Sequence, residues 1–308
     1  MSDPLVWLPF DLVELGEVPE NLRYETFDGD LDDHGNLPAS AEEVELYVTP
    51  YRFSESDGEV LGKLPNLKVV QTLSAGVEHI AKWVPDRVQL CNGRGIHDTS
   101  TAELTLTLVL ASLRGIPEFV RAQDRQSWEP TKRPSLADKQ VLVVGYGQIG
   151  AAIEERLLTF ECDVVRVARG ARDGVHAIDE LPRLLPEADV VVLIVPGTDQ
   201  TAGLFDAEML SRLKDGALLV NVSRGPVVDT DALVAELESG RISAALDVVD
   251  PEPLPAGHPL WRAPHLLLSP HVGGNSTAMD PRGHRLVREQ LWRYSAGEPL
   301  ANVVTGDY

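Results

Sequence analysis

The sequence predicts an α/β protein with two doubly wound domains, each built around a parallel sheet. Three observations predict this fold class. The chain has 308 residues, which is more than one hydrophobic core usually holds. Short apolar segments of strand length alternate with helical segments along most of the chain. In the middle of the chain, an apolar strand runs directly into a glycine-rich turn and a helix, which is typical of doubly wound domains.

The first hundred residues predict a small parallel sheet with one short helix, VEHIAKWV. Five segments there have strand length and are rich in β-branched or aromatic residues. These segments are PLVWLPF, LRYETF, EVELYVT, LKVVQTL and RVQLC. The next segment, STAELTLTLVLASLRGI, predicts a buried helix that links the two halves, with Thr99 or Ser100 as its N-cap.

The second half predicts a larger parallel sheet, with helices such as DTDALVAELESG between its strands. Its predicted strands are QVLVV, DVVRVAR, ADVVVLIVP, ALLVNVS, ISAALDVV and HLLLSPHV. The polar segment RQSWEPTKRPS is expected to form an irregular excursion between secondary-structure elements. A final amphipathic helix returns to the first domain, with Trp292 and Tyr294 in its core. The expected domains are therefore 1–100 with 275–308, and 101–274.

The charge of the chain excludes two classes of partner. There are 48 acidic against 27 basic residues, and the net charge of −21 repels nucleic acid and anionic membrane surfaces. Only six of the basic residues are lysines, a composition typical of proteins from salt-saturated cytoplasms, although an ordinary acidic cytosolic enzyme is the alternative. Two cysteines, acids at the N-terminus and no apolar span of about 20 residues together predict a cytoplasmic protein.

The glycine-rich turn predicts a dinucleotide site. In VVGYGQIG, Gly145, Gly147 and Gly150 form a G-x-G-x-x-G pattern between a strand and a helix. The first glycine makes the turn, the second lets a pyrophosphate approach the backbone, and the third packs the helix against the strand. The N–H groups of Gln148 and Ile149 would then face the phosphates. The alternative is a tight turn without a ligand.

The next strand predicts NADP(H) as the preferred cofactor, with NAD(H) possible. Strands at this position usually end in an acid that binds the adenosine ribose. Here the strand ends in VARGARDG, so that Arg169, and after it Arg172, are candidates to bind a 2′-phosphate. Two alternatives stay open: both arginines are ordinary solvated residues, or Asp173 reaches back to the ribose of NAD(H).

Three chemically active side chains follow successive predicted strands. Arg224 lies in NVSRGPVVD, Glu252 in LDVVDPEPLP and His271 in SPHVGG. Taken singly, each is ordinarily a surface, loop or capping residue. Because the carboxyl ends of parallel strands share one edge, we expect the three to meet beside the glycine turn. The eight histidines and two cysteines show no metal-ligand spacing, so no metal site is predicted.

These motifs resemble those of the D-isomer-specific 2-hydroxyacid dehydrogenase family. Seven segments occur in the family's order: SAGVE, HDTSTAEL, GYGQIG, VPGTDQTAGLF, NVSRGPVVD, LDVVDPEPLP and SPHVGG. The resemblance implies a Rossmann-like cofactor domain, a smaller flavodoxin-like substrate domain, a cleft between them, and a homodimer. The composition adds the expectation of a halophilic, archaeal-type member. The resemblance also implies that Arg224, Glu252 and His271 are the catalytic residues.

The chemistry of a 2-keto acid assigns a role to each residue. His271 supplies a proton to the ketone oxygen, and Glu252 stabilises the protonated imidazole and fixes its tautomer. Arg224 binds the substrate carboxylate, together with the N–H groups of Ala75 and Gly76. Candidates to line the side-chain pocket are Tyr51, Arg52 and Phe53, and Trp128 is expected to pack in the dimer interface or to reach a neighbouring cleft.

The resemblance implies further contacts to the cofactor. Asp247 would accept a hydrogen bond from the nicotinamide carboxamide, unless it is only an acid in a turn. The other assigned positions are Thr101, Pro196, Thr201, Val222, Ser223 and Gly273. We expect a reductase of 2-keto acids. The alternatives are a dehydrogenase of the same fold for formate, phosphite or 3-phosphoglycerate, or a nucleotide-sensing co-repressor without enzymatic activity.

Overall fold

The computed structural model describes residues 3–52 and 56–305. Its twelve strands are β1 Leu5–Leu8, β2 Arg23–Thr26, β3 Val44–Val48, β4 Val69–Gln71, β5 Gln89–Cys91, β6 Gln140–Val144, β7 Asp163–Ala168, β8 His176–Ala177, β9 Val190–Leu193, β10 Leu218–Asn221, β11 Ser243–Leu246 and β12 Leu266–Leu268. Its α-helices are α1 Ser56–Gly62, α2 Glu78–Ala81, α3 Asp98–Arg114, α4 Ile116–Asp124, α5 Gln148–Leu157, α6 Leu181–Leu184, α7 Ala207–Ser211, α8 Thr230–Ser239 and α9 Met279–Ala296.

Short 3-10 helices complete the secondary structure. They span Leu12–Leu15, Ala39–Glu43, Leu158–Phe160, Ile178–Glu180, Leu185–Glu187, Gly225–Val227 and Pro259–Arg262. The chain divides into two compact units, Met1–His97 with Thr277–Tyr308, and Asp98–Ser276. The assignment of substrate binding to the first unit and cofactor binding to the second stays a prediction.

The first unit is a five-stranded parallel sheet in the order β2-β1-β3-β4-β5. Side chains that alternate along each strand enter opposite cores, so both faces of the sheet are covered. On β1, for example, Leu5 and Trp7 join one cluster while Val6 and Leu8 join the other. The helix α9 belongs to this unit, and its Val287 enters the second of these cores.

The second unit is a seven-stranded parallel sheet in the order β12-β11-β10-β9-β6-β7-β8. Its two faces are likewise buried: Leu142 and Val144 of β6 enter one core, and Val141 and Val143 enter the other. The helices α3 and α5 pack on the latter face. The predicted fold class is confirmed, since both units are Rossmann-like α/β layers with all-parallel sheets. No helix in the described part of the chain is both long and apolar enough to span a membrane.

Two local predictions were wrong, and one short strand was not predicted. The helix α3 begins at Asp98, so Thr99 and Ser100 lie in its first turn and neither is the N-cap. A carboxylate in that first turn is favourable because it faces the positive end of the helix dipole. Trp292 is 48% exposed and lies outside the core, whereas Tyr294 packs against it. The strand β8 has only two residues, too few to give a periodic signal.

A partly buried cluster of charges connects the starts of three strands in the second unit. Asp189, just before β9, accepts hydrogen bonds from Lys214 Nζ at 2.9 Å, Lys139 Nζ at 3.2 Å and the Gln140 N–H at 2.9 Å. Partial burial opposes ionisation of the Asp189 carboxyl, but the hydrogen bonds from Lys214, Gln140 and Lys139 outweigh it and lower its pKa. The ionised carboxylate therefore stabilises the folded state.

We predict that Asp189→Asn lowers the free energy of unfolding by about 1–2 kcal/mol at pH 7. The pKa of Asp189 is lower in the folded protein than in the unfolded chain. The ionised Asp189 therefore stabilises the folded state fully at pH values above the pKa of the unfolded chain, about 3.9. This stabilisation is lost as the pH falls through the lower pKa of the folded protein. Urea unfolding of wild type and variant at pH 7, 5 and 3.5 should show the difference shrinking at the lowest pH. An equal difference at every pH contradicts the assignment.

Candidate active site

The loops of the candidate site leave the second unit along one edge of its sheet. The ends of six parallel strands pair across this edge: Leu268 with Leu246, Leu246 with Asn221, Asn221 with Leu193, Leu193 with Val144, and Val144 with Val167. The glycine turn and the segments that carry the predicted residues from Arg169 to Gly273 all begin at these strand ends. In doubly wound sheets, this carboxyl edge is where ligands bind.

The three glycines of the turn have different surroundings. A Cβ on Gly145, whose φ is +110°, would lie 2.3 Å from the Ile194 carbonyl oxygen, and a Cβ on Gly150 would lie 2.4 Å from that of Gly145. A Cβ on Gly147 would meet nothing within 4 Å. Gly147 is also the N-cap of α5, which starts at Gln148 and has no side-chain cap. The middle glycine thus leaves open space before an uncapped helix N-terminus, as a pyrophosphate requires.

The segment after β7 presents two exposed guanidinium groups. Arg172 Nη2 donates a hydrogen bond to the Tyr146 carbonyl at 2.6 Å, so this side chain reaches the glycine turn. Arg169 is exposed as well. None of the ion pairs recorded for the described residues includes Arg169 or Arg172. The segment that follows β7 therefore carries two cationic side chains and one acid, Asp173, next to the second of them.

His271 and Glu252 form a half-exposed pair beyond β11 and β12. The His271 Nδ1 and Glu252 Oε1 atoms are 2.9 Å apart. A proton on Nδ1 makes this a hydrogen bond to the carboxylate, which fixes the imidazole orientation and tautomer. His271 has φ +52°, in the left-handed region that non-glycine residues seldom adopt. The surrounding turn must therefore hold this residue in place.

Asp247 holds that turn through four hydrogen bonds. Its Oδ1 accepts from the Ser269 hydroxyl at 2.6 Å and the Val272 N–H at 2.9 Å, and its Oδ2 accepts from the Gly273 N–H at 2.9 Å. Its backbone oxygen accepts from the His271 N–H at 2.7 Å. The side chain of Asp247 is buried. The first task of this carboxylate is thus to shape the turn that carries His271.

Gly273 and Thr101 lie beside the same carboxylate. A Cβ on Gly273 would lie 3.0 Å from Asp247 Oδ2 and 3.5 Å from Thr101 Oγ1. The absence of a side chain at Gly273 lets the carboxylate reach the backbone. The start of α3, where Thr101 is buried, therefore packs against the turn that carries His271.

The loop of Arg224 contacts the loop that leads to Glu252. A Cβ on Gly225 would lie 1.9 Å from the Val249 carbonyl oxygen, so glycine is required for this approach. Arg224 is half-buried, and its Nη1 donates to the Ser223 carbonyl at 2.8 Å. The structure thus brings the segments of Arg224, Glu252 and His271 together at one edge of one unit.

The remaining predicted cofactor residues lie on the same edge. Val222 and Ser223 are buried just after β10. Beyond β9, the Thr201 hydroxyl donates to the Pro196 carbonyl at 2.6 Å and accepts from the Thr198 N–H at 2.9 Å. Thr201 therefore closes the turn that carries Pro196.

The predicted substrate residues Tyr51, Ala75 and Gly76 belong to the first unit. The carbonyl groups of the segment after β4 are all engaged: Leu73 with His97 Nε2 at 2.8 Å, Ser74 with the Gly93 N–H at 2.7 Å, Ala75 with Asn92 Nδ2 at 3.0 Å and Gly76 with the Ser74 hydroxyl at 2.7 Å. The Tyr51 ring lies 5.0 Å from the His97 ring. Phe53 lies outside the described residues.

Sequence reasoning missed several residues that organise the site. Asn221 Oδ1 accepts from the Ser223 hydroxyl and N–H, at 2.6 and 3.0 Å, and so shapes the start of the Arg224 loop. Ser269 and His97 support their turns in similar ways. The available signal was a polar residue directly after an apolar strand and next to a motif.

We predict that Asp247→Asn loosens the turn that carries His271. An asparagine offers one acceptor oxygen, and its amide hydrogens oppose at least one of the three donors. Leaving a buried donor without a partner costs about 1–3 kcal/mol. Amide hydrogen exchange at Val272 and Gly273 should therefore accelerate about tenfold or more. Ser269→Ala, which removes one bond, is the matched control and should have a smaller effect. Unchanged exchange in Asp247→Asn contradicts this role.

Comparisons with known proteins agree with this architecture. Residues 106–273 match the family model described as "D-isomer specific 2-hydroxyacid dehydrogenase, NAD binding domain". A glyoxylate reductase of Thermofilum pendens is 36% identical over 79% of this chain and 76% of its own. A chloroplastic/mitochondrial formate dehydrogenase of Arabidopsis thaliana is 30% identical over 85% of this chain and 72% of its own. A D-isomer specific 2-hydroxyacid dehydrogenase from Xanthobacter autotrophicus Py2, solved with NADPH and MES, superposes with a TM-score of 0.81 at 33% identity, over 99% of this chain and 98% of that one.

Proposed function

Because the chain belongs to the D-isomer specific 2-hydroxyacid dehydrogenase family, we propose that it reduces 2-keto acids to D-2-hydroxy acids with a nicotinamide cofactor. The observation that carries this proposal is the His271–Glu252 pair, 2.9 Å apart, on the same sheet edge as the glycine turn. A ketone that accepts a hydride also needs a proton, and a carboxylate-supported imidazole is a suitable donor.

The chain's own residues divide the remaining work. When bound, the cofactor supplies or accepts the hydride. With Nδ1 bonded to Glu252, His271 Nε2 is the nitrogen that we assign to proton exchange with the substrate oxygen. Arg224 binds the substrate carboxylate with the planar geometry that guanidinium offers. The proposed residues at the cofactor are Gly145, Gly147, Gln148, Ile149, Gly150, Arg169, Arg172, Pro196, Thr201, Val222, Ser223, Asp247, Gly273 and Thr101.

The substrate contacts that we propose in the first unit are the N–H groups of Ala75 and Gly76, with Tyr51 against the substrate's side chain. The engaged carbonyl groups of this segment support the proposal, because they fix the loop with its oxygens bound. Similarity to a glyoxylate reductase supports a small 2-keto acid.

A paired proton donor favours this reaction over formate oxidation and over nucleotide sensing without activity. Oxidation of formate yields carbon dioxide and leaves no alkoxide to protonate. Formate oxidation therefore does not require the His271–Glu252 pair as a proton donor. A nucleotide-sensing protein without activity likewise needs no general acid. The similarity to a formate dehydrogenase therefore adds less support than the geometry of the pair.

We predict that His271→Ala abolishes reduction while leaving cofactor binding almost unchanged. Loss of a general acid lowers kcat by about 10²–10⁴-fold. The assay is NADPH and NADH consumption with a panel of 2-keto acids, beside cofactor titration by fluorescence. Glu252→Gln is the companion variant, expected to lower kcat less and to shift its pH profile. A His271→Ala enzyme with near-normal kcat refutes the assignment, and wild type that binds cofactor but turns over no keto acid favours the sensor.

We propose a preference for NADP(H) over NAD(H). The support is the pair of exposed arginines after β7, together with the NADPH in the Xanthobacter structure. Wild type is expected to show a higher kcat/KM with NADPH than with NADH. Arg169→Ala and Arg172→Ala should each lower the value for NADPH, by roughly tenfold or more for the main ligand, with little effect on NADH. A wild type that prefers NADH contradicts the proposal.

We further propose a halophilic, cytoplasmic homodimer. The excess of acids and the scarcity of lysine support the halophilic character, and the presence of only two cysteines supports a reducing cytoplasm. The exposed side chains of Ile116, Phe119 and Val120 on α4, and of Trp128 at 94% exposure, support a covering subunit. For a halophilic protein, the melting temperature should rise as KCl increases from near zero to molar concentration, because salt screens repulsion among the acids. Unchanged melting argues against it.

A further inference from the structure

The glycine turn carries an aromatic residue whose ring is fixed at its far end. Tyr146 lies between Gly145 and Gly147, and its hydroxyl donates a short hydrogen bond to the carboxylate of Glu154. Glu154 is buried on α5 and also pairs with Arg166 of β7, whose Nε lies 2.7 Å from Glu154 Oε1. The ring is thus held from two sides, by the turn that carries it and by the carboxylate that binds its hydroxyl.

Two guanidinium groups lie close to this ring. Arg166 Cζ is 5.7 Å and Arg172 Cζ is 5.8 Å from the ring centroid, within the range of cation–π contacts. Arg172 also donates from Nη2 to the Tyr146 carbonyl at 2.6 Å. Tyr146 therefore contacts Arg172 with both its ring and its backbone, and restricts a side chain that is otherwise long and exposed.

Only one of the two arginines has its charge neutralised by an ion pair recorded in the described part of the chain. Arg166 is paired with Glu154, whose pKa is lowered because the hydrogen bonds from Arg166 and Tyr146 outweigh the effect of burial, so the acid stays ionised. No ion pair recorded for the described residues includes Arg172. Of the two guanidinium groups beside the ring, Arg172 is therefore the one available to an anion, close to the uncapped N-terminus of α5, where anions are also favoured.

We infer that Tyr146 is a specificity-determining positioning residue, which holds Arg172 at the glycine turn to bind the 2′-phosphate of NADP(H). The inference rests on the proposed NADP(H) preference. The adenosine ribose of a dinucleotide lies between the glycine turn and the end of the following strand, which is the place that Arg172 spans. Arg172, rather than Arg169, is then the main ligand, because its side chain is ordered before the phosphate binds. Arg166 takes no direct part, since Glu154 already occupies it.

The test measures ligand binding to the full-length protein without substrate. Isothermal titration compares adenosine 2′,5′-bisphosphate with 5′-AMP, which differ only in the 2′-phosphate. Wild type should bind the bisphosphate more tightly. Arg172→Ala should weaken binding of the bisphosphate about 30-fold, and Tyr146→Leu should weaken it about fivefold. The affinity for 5′-AMP should change less than about twofold in both variants. Tyr146→Phe is the matched control, because it keeps the ring and removes only the hydroxyl, and its affinity for the bisphosphate should fall less than that of Tyr146→Leu.

A double-variant cycle isolates the positioning role. If Tyr146 acts through Arg172, the variant with both Tyr146→Leu and Arg172→Ala binds the bisphosphate no more weakly than Arg172→Ala alone. Additive losses overturn the inference, as does an equal loss for both ligands in Tyr146→Leu. Should Tyr146→Leu fail to fold, the exposed substitution Arg172→Ala still decides, because wild-type discrimination without this guanidinium group also overturns the inference.

The two levels of proposal fail differently. Wild type that binds bisphosphate and 5′-AMP equally well overturns the NADP(H) preference, and the role of Tyr146 with it. Wild type that discriminates, together with a Tyr146→Leu variant that discriminates equally, overturns the role of Tyr146 alone.

Discussion

Every strand in the sheet of the second unit runs in the same direction, and this constraint places the candidate site. Parallel strands need crossover connections, so each loop that follows a strand emerges at the carboxyl edge. The pairing of Asn221 with Leu246, and of Leu246 with Leu268, sets three of these loops side by side. This backbone register makes neighbours of residues that are far apart in sequence, and Glu252 and His271 then bond through their side chains at 2.9 Å. The chemistry of Arg224, Glu252 and His271 is built on that backbone register.

Within this frame, carboxylates do most of the fine positioning. Asp247 accepts three hydrogen bonds on its side chain and thereby stabilises a turn in which His271 has a positive φ. Glu252 fixes the imidazole of that residue, and Glu154 fixes Tyr146 in the glycine turn. Asp247 and Glu154 also bind further groups of the protein, whereas the recorded contact of Glu252 is the one to His271. The acidity of the chain thus has local structural uses besides its effect on the surface.

The sequence was most informative for features that depend on a short local pattern of residue types. The apolar strands, the glycine pattern and the polar residues after successive strands were readable because periodicity and spacing are local properties. The start of α3 at Asp98 could not be predicted, because several neighbouring residues are suitable as N-caps. The exposure of Trp292 could not be predicted either, because the sequence pattern allowed more than one face of the helix to be buried. The hydrogen bonds of Asp247 and the pairing of Glu154 with Arg166 depend on distances between elements, which no single segment encodes.

The first unit draws on both ends of the polypeptide. The helix α9 packs Val287 and Leu291 into one of its cores, Gln290 Nε2 donates to Gln71 Oε1 at 2.7 Å, and Val303 bridges to Cys91 beside β5. During translation, the five-stranded sheet emerges from the ribosome first but must wait for the final segment before that face is covered. The seven-stranded unit, being continuous, is complete earlier. The first unit therefore depends on contacts of high sequence separation, such as the 219 positions between Gln71 and Gln290, and such contacts form more slowly than local ones.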